Sequence, residues 1–398
     1  INKYVAYLRA HDVEPAITAS TGIAATHING MTIHSWCGIG IKTKLEKNDL
    51  TKITSSQYIT RRVLRAKVLI IEEVSMLTGE TLSMVDLVCQ KIRKNSDPFG
   101  GLQVIFAGDF FQLPPVVKNI PAHFAFESDA WASANPVICY LTEQHRQDDD
   151  SFLSRHSALR HNTFEISHLE HLETRKIAPH AIPENVPKLY SHNANVDLTN
   201  DAILAKLSGE PHIFTLTSYG LEALVTMLKK GCLSPEILNL KVGAAVMFTK
   251  NNPKELFVNG TLGMVEGFDI ESGYPIVKTK SGRIIEVEPM AWTIEENDKI
   301  LAQITQFPLR LAWAITVHKS QGMNLDEAVV DLSGVFEFGQ GYVALSRVKR
   351  LSGLYILGWN QRTFEVHPEI VNKDIQFHAQ SKQAEREYGK SRKFKGKR

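Results

Sequence analysis

The feature that most constrains the fold is a series of short apolar runs that end abruptly in polar residues or glycine. They are rich in valine and isoleucine and lack polar alternation, which is typical of strands buried on both faces of a sheet. Helical patterns, such as 79–93 and 341–350, lie between them. Strands alternating with helices predict a doubly wound α/β fold with parallel sheets. The predicted strands lie at residues 14–21, 67–75, 102–110, 212–218, 312–322, 327–333 and 354–358.

Composition places the chain among ordinary globular proteins. Of its 398 residues, 43% are hydrophobic and 22% charged, which excludes collagen, coiled coil and wholesale disorder. The net charge of +2 excludes neither a nucleic-acid partner nor a small-molecule one. The four cysteines form no C-x-x-C pair, so we expect a reducing compartment, cytoplasmic or nuclear, and no secretion. No apolar run approaches the roughly 18 residues that span a bilayer, so no membrane partner is expected.

Changes of pattern divide the chain into units. Residues 238–300 alternate apolar and polar residues around the hairpin signals Asn259-Gly260 and Ser281-Gly282, which predicts a small antiparallel β-barrel inserted in the second α/β unit. Residues 42–60 are polar and predict an excursion on the first unit. The predicted domains are 1–145 for the first unit, 146–237 with 301–375 for the second, 238–300 for the barrel, and 376–398 for a basic disordered tail.

Two segments at predicted strand ends carry carboxylates and an amide suited to phosphate chemistry. Glu72 and Glu73 follow four apolar residues; one carboxylate can hold Mg²⁺ through water and the other can activate the water that attacks a γ-phosphate. Further on, Asp109 and Gln112 stand before two prolines, and an amide that both donates and accepts can sense a γ-phosphate. The alternatives are a chance pair of surface glutamates and a proline-rich turn that closes a strand.

Other polar residues fit nucleic-acid binding or charge stabilisation. Thr21 and Gly22 offer a hydroxyl and backbone N–H groups for a nucleic-acid phosphate, and His34 fits base stacking or core packing. Arg146 and Arg347 suit an enzyme in which arginines stabilise a triphosphate transition state, although either one alone also fits a surface ion pair.

The order of these segments resembles the motifs of the Pif-type helicases, in the 5′-to-3′ branch of superfamily one beside RecD and the phage helicase Dda. The match extends over most of the chain, and six segments in one order make chance negligible. The matching segments are TGIAATHINGMTIHS (21–35), EEVSM (72–76), GDFFQLPPV (108–116), EQHRQDDDSF (143–152), VHKSQG (317–322) and GQGYVALSR (339–347).

The resemblance implies two RecA-like P-loop NTPase lobes and an ATP-driven motor. It implies ATP and Mg²⁺ as cofactors, single-stranded, duplex or fork DNA as partner, no other small-molecule substrate, and a monomer. The barrel would complete the DNA channel, and residues 42–60 would form a strand-separating wedge. The resemblance assigns Mg²⁺ to Glu72, catalysis to Glu73, Gln112, Arg146 and Arg347, nucleotide contacts to Glu72, Glu73, Asp109, Gln112, Gly322 and Arg347, and DNA contacts to Thr21, Gly22, His34, His318, Lys319 and Asn259.

The sequence departs from the family pattern at two places. Glu72 stands where the family has aspartate, which moves the carboxylate one methylene outward. The phosphate loop G-x-x-x-x-G-K-[ST] is not found, because Gly389-Lys390-Ser391 has Ala384 at the first glycine position. We therefore expect an N-terminally truncated helicase with impaired ATP binding. Two alternatives stay open: a degenerate nucleic-acid-binding protein of the same fold, and a helicase segment of a larger conjugation or recombination enzyme.

Overall fold

The fold was analysed in a computed structural model of the chain. It describes residues 1–28, 30–40, 42–115, 123–141, 150–160, 163–183, 186–250, 252, 257, 259, 261–296, 299–322 and 324–389. No helix in this described part is both long enough and apolar enough to cross a membrane.

The first lobe is built around a four-stranded parallel sheet with the strand order β2-β1-β3-β4. Its elements are α1 (Asn2–Arg9), β1 (Ala16–Ala19), α2 (Gly22–His27), β2 (Met31–Thr32), α3 (Ile33–Trp36), α4 (Lys47–Ser55), α5 (Gln57–Arg65), β3 (Val68–Glu72), α6 (Gly79–Arg93), β4 (Gln103–Ala107) and α7 (Asp129–Ala134). The polar excursion at 42–60 therefore includes α4 and the start of α5, which are anchored in the core by Ile53 and Val63.

Helix α6 shows how the local sequence sets its bounds. The Thr78 hydroxyl accepts the N–H of Thr81 and caps the start of the helix. At the other end, Lys94 takes a left-handed conformation, which is a common helix stop. Between these ends, a buried face at helical spacing packs on the sheet, and it includes Leu82, Val85, Cys89 and Ile92. The bounds match the prediction for 79–93.

The second lobe contains a second parallel sheet, of order β16-β5-β17-β18. The elements that follow the first lobe are α8 (Asp150–Arg160), α9 (Ile166–Glu173), β5 (Lys188–Tyr190), α10 (Asn193–Lys206), β6 (His212–Thr215), β7 (Thr217–Gly220), α11 (Glu222–Gly231), β8 (Ile237–Leu240), β9 (Ala245–Phe248), β10 (Leu262–Phe268), β11 (Pro275–Thr279), β12 (Ile284–Glu286), β13 (Met290–Glu296), β14 (Lys299–Gln306), β15 (Leu309–Leu311), β16 (Ala314–Thr316), β17 (Ala328–Leu332), α12 (Gln340–Leu345), β18 (Leu354–Trp359) and α13 (Pro368–Tyr388).

Between β5 and β16 the chain forms antiparallel structure with its own core. Five strands pair in the order β12-β11-β10-β9-β15, and their inner side chains include Val246, Phe248, Val265 and Val277. The hairpin predicted at Ser281-Gly282 joins β11 to β12, with Gly282 at a φ of 85°. The predicted α/β class, with two parallel sheets and an antiparallel insertion, is confirmed.

Two predicted elements were wrong in part. Residues 212–218 do not join the parallel sheet. Instead, β6 pairs antiparallel with β8, and β7 pairs antiparallel with β14. Most residues of β6 and all residues of β7 are exposed. The helix predicted at 341–350 ends at Leu345, since Leu325 and Val348 form a parallel bridge that pulls the backbone out of the helix. In both cases pairing with a distant segment overrides the local pattern.

The prediction of a disordered tail from residue 376 was wrong for residues 376–388, which belong to α13. The helix returns to the first lobe, where the Phe377 ring packs 6.0–6.1 Å, between centroids, from Phe110, Phe126 and Trp131. The Ser381 hydroxyl also accepts the N–H of Tyr140 at 3.0 Å. The apolar contact explains the order, and residues 390–398 lie outside the described residues.

Candidate active site between the two lobes

The carboxyl ends of β1, β3 and β4 meet at one edge of the first sheet. The pairing aligns Ala19 with Glu72, and Glu72 with Ala107. The residues that follow these strands, including Glu73 and Asp109, therefore project from the same edge. In parallel α/β sheets this edge is where ligands bind.

Glu73 occupies a strained position at this edge. Its backbone is left-handed, with φ 55° and ψ 44°, a conformation that is uncommon for a residue with a side chain. A turn of 3₁₀ helix begins directly after it, at Val74. The unusual backbone turns the chain away from the sheet at the residue that was predicted to be catalytic.

Gln321 of the second lobe connects two of the predicted catalytic residues of the first lobe. Its amide nitrogen Nε2 donates to Glu73 Oε2 at 3.2 Å and to Gln112 Oε1 at 3.3 Å. Gln321 follows β16 and is itself buried, with 7% of its surface exposed. The two lobes therefore meet at Glu73 and Gln112.

The surroundings of Glu73 favour its neutral form. Burial and the adjacent Glu72 carboxylate raise the pKa of Glu73 to about 7, against the opposing charge of Arg347. A carboxyl group with a pKa near neutrality can accept a proton from a bound water molecule and release it again. This is the property that a general base for nucleotide hydrolysis needs.

Arg347 is completely buried in the second lobe and is held by neighbours in its own lobe. Its Nε donates to the Val343 carbonyl at 2.9 Å, and its Nη2 donates to the Ser346 hydroxyl at 2.7 Å. Its Nη1 also lies 3.5 Å from the carbonyl oxygen of Ser320, the residue directly before Gln321. Gln321 thus joins Glu73 to Gln112, and Arg347 contacts the residue beside Gln321; the catalytic roles of the three predicted residues stay predictions.

Glu72 is suited to hold a divalent cation. Its Oε2 is buried, and no group in the described part of the chain hydrogen-bonds to it. Burial raises the pKa of this carboxyl, which a nearby cation would oppose. Carboxylate oxygens are preferred ligands of Mg²⁺, so the residue fits the metal role predicted for it.

Comparison with known proteins assigns the family. A family model described as PIF1-like helicase matches residues 1–175. The chain is 40% identical to the ATP-dependent DNA helicase Pif1 of Psychrobacter sp. (strain PRwf-1), over 98% of this chain and 68% of that protein. The chain belongs to the Pif1 helicase family.

Solved structures of Pif1 helicases share the fold. The Pif1 helicase of Candida albicans superimposes with a TM-score of 0.77 at 35% identity, over 93% of this chain and 90% of that one. The Bacteroides Pif1 helicase in complex with ADP-AlF3 and single-stranded DNA gives a TM-score of 0.66 at 29% identity, over 92% and 88%. The two parallel sheets are therefore the RecA-like lobes of a Pif1 helicase.

The predicted DNA contacts of this Pif1-family chain lie in varied surroundings. The Thr21 hydroxyl accepts the N–H of Ala24 at 3.2 Å and so caps α2. Gly22 lies against the backbone of α11, because a β-carbon there would stand 2.7 Å from the α-carbon of Gly231. Both are compatible with their predicted roles, which stay predictions.

Burial affects the two histidines predicted to contact DNA. It lowers the pKa of His34, and burial together with His192 lowers the pKa of His318. Both imidazoles are half-buried, so each is held mainly neutral while part of its ring stays accessible. Trp36 is buried in the core, with 2% of its surface exposed.

The remaining predicted residues are placed as follows. Gly322 follows Gln321 with a φ of 78°, so it turns the chain directly behind the interlobe contact. Asn259 is a buried turn residue before β10. Arg146 and the side chain of Lys319 lie outside the described residues, and their roles stay predictions.

Sequence reasoning did not select three residues that the structure places at the interlobe contact. Gln321 stands inside the segment VHKSQG and Tyr342 inside GQGYVALSR, so both were within quoted motifs. Arg160 has no such signal, because it lies beyond the segment EQHRQDDDSF, at the end of α8. Only the tertiary fold brings it to Asp109, which it meets at 3.1 Å.

Proposed function

We propose that this chain is the motor of an ATP-dependent DNA helicase that moves 5′ to 3′ on single-stranded DNA and separates duplexes. One observation carries the proposal: Gln321 of the second lobe bonds to both Glu73 and Gln112 of the first. An enzyme that hydrolyses nucleotide between its lobes can convert hydrolysis into relative movement of those lobes. The relatives named above as ATP-dependent DNA helicases support this activity.

The residues at the contact divide the work of hydrolysis. Glu73 accepts the proton of the attacking water. The Gln112 amide, which can both donate and accept a hydrogen bond, senses the terminal phosphate. Arg347 supplies positive charge from the second lobe, so it acts only when the lobes are closed. Glu72 would hold Mg²⁺, and the bound cation would supply positive charge beside the phosphate groups.

The DNA side of the proposal is sequence-independent binding of a single strand. Thr21 and Gly22 bind the backbone phosphates of the DNA. His34 and His318 contact bases or couple DNA binding to the nucleotide. Lys319 and Asn259 are further contacts from the second lobe and its insertion. Residues 42–60, which include α4 and the start of α5, are the proposed wedge between the strands of a fork.

The test is ATP hydrolysis and strand separation by the protein expressed from its complete reading frame. We expect single-stranded DNA to stimulate hydrolysis and duplexes with a 5′ overhang to be unwound, whereas 3′ overhangs are not. DNA binding without nucleotide hydrolysis would instead establish the degenerate DNA-binding alternative. Affinity for DNA should fall steeply with salt, because phosphate contacts release counterions.

Two further properties are part of the proposal. The active unit is a single chain, which the mass of the DNA-bound species measures. The protein acts where DNA is held, in a nucleoid or nucleus, which imaging of the tagged protein tests.

A further inference from the structure

One carboxylate oxygen at the edge of the first sheet accepts hydrogen bonds from three side chains. Asp109 Oδ2 lies 3.1 Å from Arg160 Nη1, 3.2 Å from the Tyr342 hydroxyl and 3.4 Å from Gln112 Nε2. Gln112 belongs to the first lobe, whereas Arg160 ends α8 and Tyr342 lies in α12. Asp109 therefore connects α8 and α12 to the segment of the first lobe that contains Gln112.

Arg160 is held in place from several sides. The same Nη1 donates to the Tyr342 hydroxyl at 3.2 Å. The guanidinium carbon also lies 4.6 Å from the centre of the Phe111 ring, in a cation–π contact. About a quarter of the side chain is exposed, 26%. A planar cation with a fixed face and a fixed edge is a more specific partner for a carboxylate than a mobile surface charge.

The hydrogen bonds continue from Asp109 to the catalytic carboxylate. Gln112 donates through Nε2 to Asp109 and accepts through Oε1 from Gln321, which also donates to Glu73. An amide bonded at both ends has one orientation, since a flip would set donor against donor. The position of Asp109 therefore decides which way the Gln112 amide faces.

We infer that Arg160 is a positioning residue for ATP hydrolysis: it holds Asp109, and through Asp109 the Gln112 amide, in the working orientation. The inference rests on the proposed function and adds a residue to it. Arg160 acts through the carboxylate with which it pairs. Without its cation, Asp109 keeps a negative charge with one fewer partner beside the Gln112 amide.

The experiment compares Arg160→Ala, Arg160→Lys and Arg9→Ala in steady-state ATP hydrolysis at saturating single-stranded DNA. Losing a charge-assisted hydrogen bond should lower kcat of Arg160→Ala roughly 10- to 100-fold, while KM for ATP and the affinity for DNA change little. Arg160→Lys should recover part of kcat, because the charge remains. Arg9→Ala is the control, since Arg9 pairs with Glu14 on the exposed surface of α1.

Further variants separate positioning from folding. The loss of kcat in the double variant Arg160→Ala, Asp109→Asn should be smaller than the combined losses of the two single variants, because both residues act through one chain of hydrogen bonds. Tyr342→Phe removes one donor without opening a cavity and should lower kcat in the same direction, even if Arg160→Ala fails to fold.

Two results would overturn the inference alone. In the first, the wild type is active and Arg160→Ala and Tyr342→Phe hydrolyse ATP as fast as it does. In the second, Arg160→Ala loses kcat, ATP affinity, DNA affinity and melting temperature together, and Arg160→Lys recovers none of them. A wild type that binds DNA but shows no DNA-stimulated hydrolysis would overturn the proposed function, and this inference with it.

Discussion

The backbone of Gly339 in the second lobe lies directly on the backbone of Gln112 in the first. A β-carbon at Gly339 would stand 2.4 Å from the Gln112 carbonyl oxygen and 2.6 Å from that of Phe111. Gly339 also has a φ of 74°, which disfavours any residue with a side chain. The second lobe therefore contacts the backbone of Phe111 and Gln112 at a position where only glycine fits.

Gly339→Ala should force the lobes apart at this point. Overpacking of this kind costs about 1–3 kcal/mol, and the contact of Gln321 with Glu73 should weaken with it. We expect DNA-stimulated ATP hydrolysis to fall while DNA binding persists. Gly267→Ala is the matched control, because a β-carbon at Gly267 would meet nothing within 4 Å. Equal hydrolysis rates in the two variants would show that this close contact is not needed for catalysis.

Glu73→Gln should abolish hydrolysis and spare DNA binding. The substitution keeps the size of the side chain but removes the group that accepts a proton, and such groups contribute roughly 10²- to 10⁴-fold to rates. The measurements are kcat for ATP and the dissociation constant for single-stranded DNA. Glu14→Gln, at an exposed position on the surface, should change neither. Normal turnover in Glu73→Gln would remove this residue from its catalytic role.

Phe377→Ala tests whether α13 fastens the second lobe to the first. The Phe377 ring is 7% exposed among Phe110, Phe126 and Trp131. Truncation of a buried phenylalanine costs about 3–5 kcal/mol of unfolding free energy. Ile375→Ala on the same helix is the control, because Ile375 is 66% exposed. Chemical denaturation compares them, and equal stability would contradict the described packing of α13.

Protonation of the two half-buried histidines should oppose folding. Burial lowers the pKa of His34 and of His318, so the unfolded chain takes up protons more readily than the folded one. Their contribution is present above the unfolded pKa of about 6.5 and is lost as the pH falls below it. Glu72 and Glu73, whose pKa values are raised, act in the opposite direction in this pH range, so the measurement is a comparison of variants. As the pH falls below about 6.5, the unfolding temperature of the wild type should drop relative to that of His34→Gln. His180→Gln, at an exposed position, should follow the wild type. The same pH dependence in His34→Gln and in the wild type would exclude His34 as a contributor.

The candidate site was predictable where the motif itself contains the chemistry. Glu73 and Gln112 follow neighbouring parallel strands of the first lobe, and parallel strands end at a common edge, so their proximity followed from the fold class. Gln321 stood beside the predicted His318 and Gly322, but its local sequence does not say that its amide faces the first lobe. Arg160 shows the opposite limit, because an arginine near a helix end has many surface partners and only packing selects Asp109.

Elements were predictable where short-range patterns agree with the packing. Helix α6 carries a cap, a helical apolar face and a stop, so its bounds came out as expected. Residues 212–218 have the composition of a buried strand, yet their partners β8 and β14 are antiparallel and lie elsewhere in the chain. Helix α13 was missed because its polar composition hides the few apolar residues, such as Phe377, that dock it.

Sequence alone determined the family, the α/β class and the identity of the carboxylates and amide that we propose to act on the nucleotide, because these depend on residue type and on order along the chain. Tertiary structure decided which side chains from the second lobe complete the site, since Gln321, Tyr342 and Arg160 reach Glu73, Gln112 and Asp109 only when the lobes are packed together. Hydrogen bonds of about 3 Å between residues far apart in sequence depend on the placement of whole elements, which no local pattern encodes.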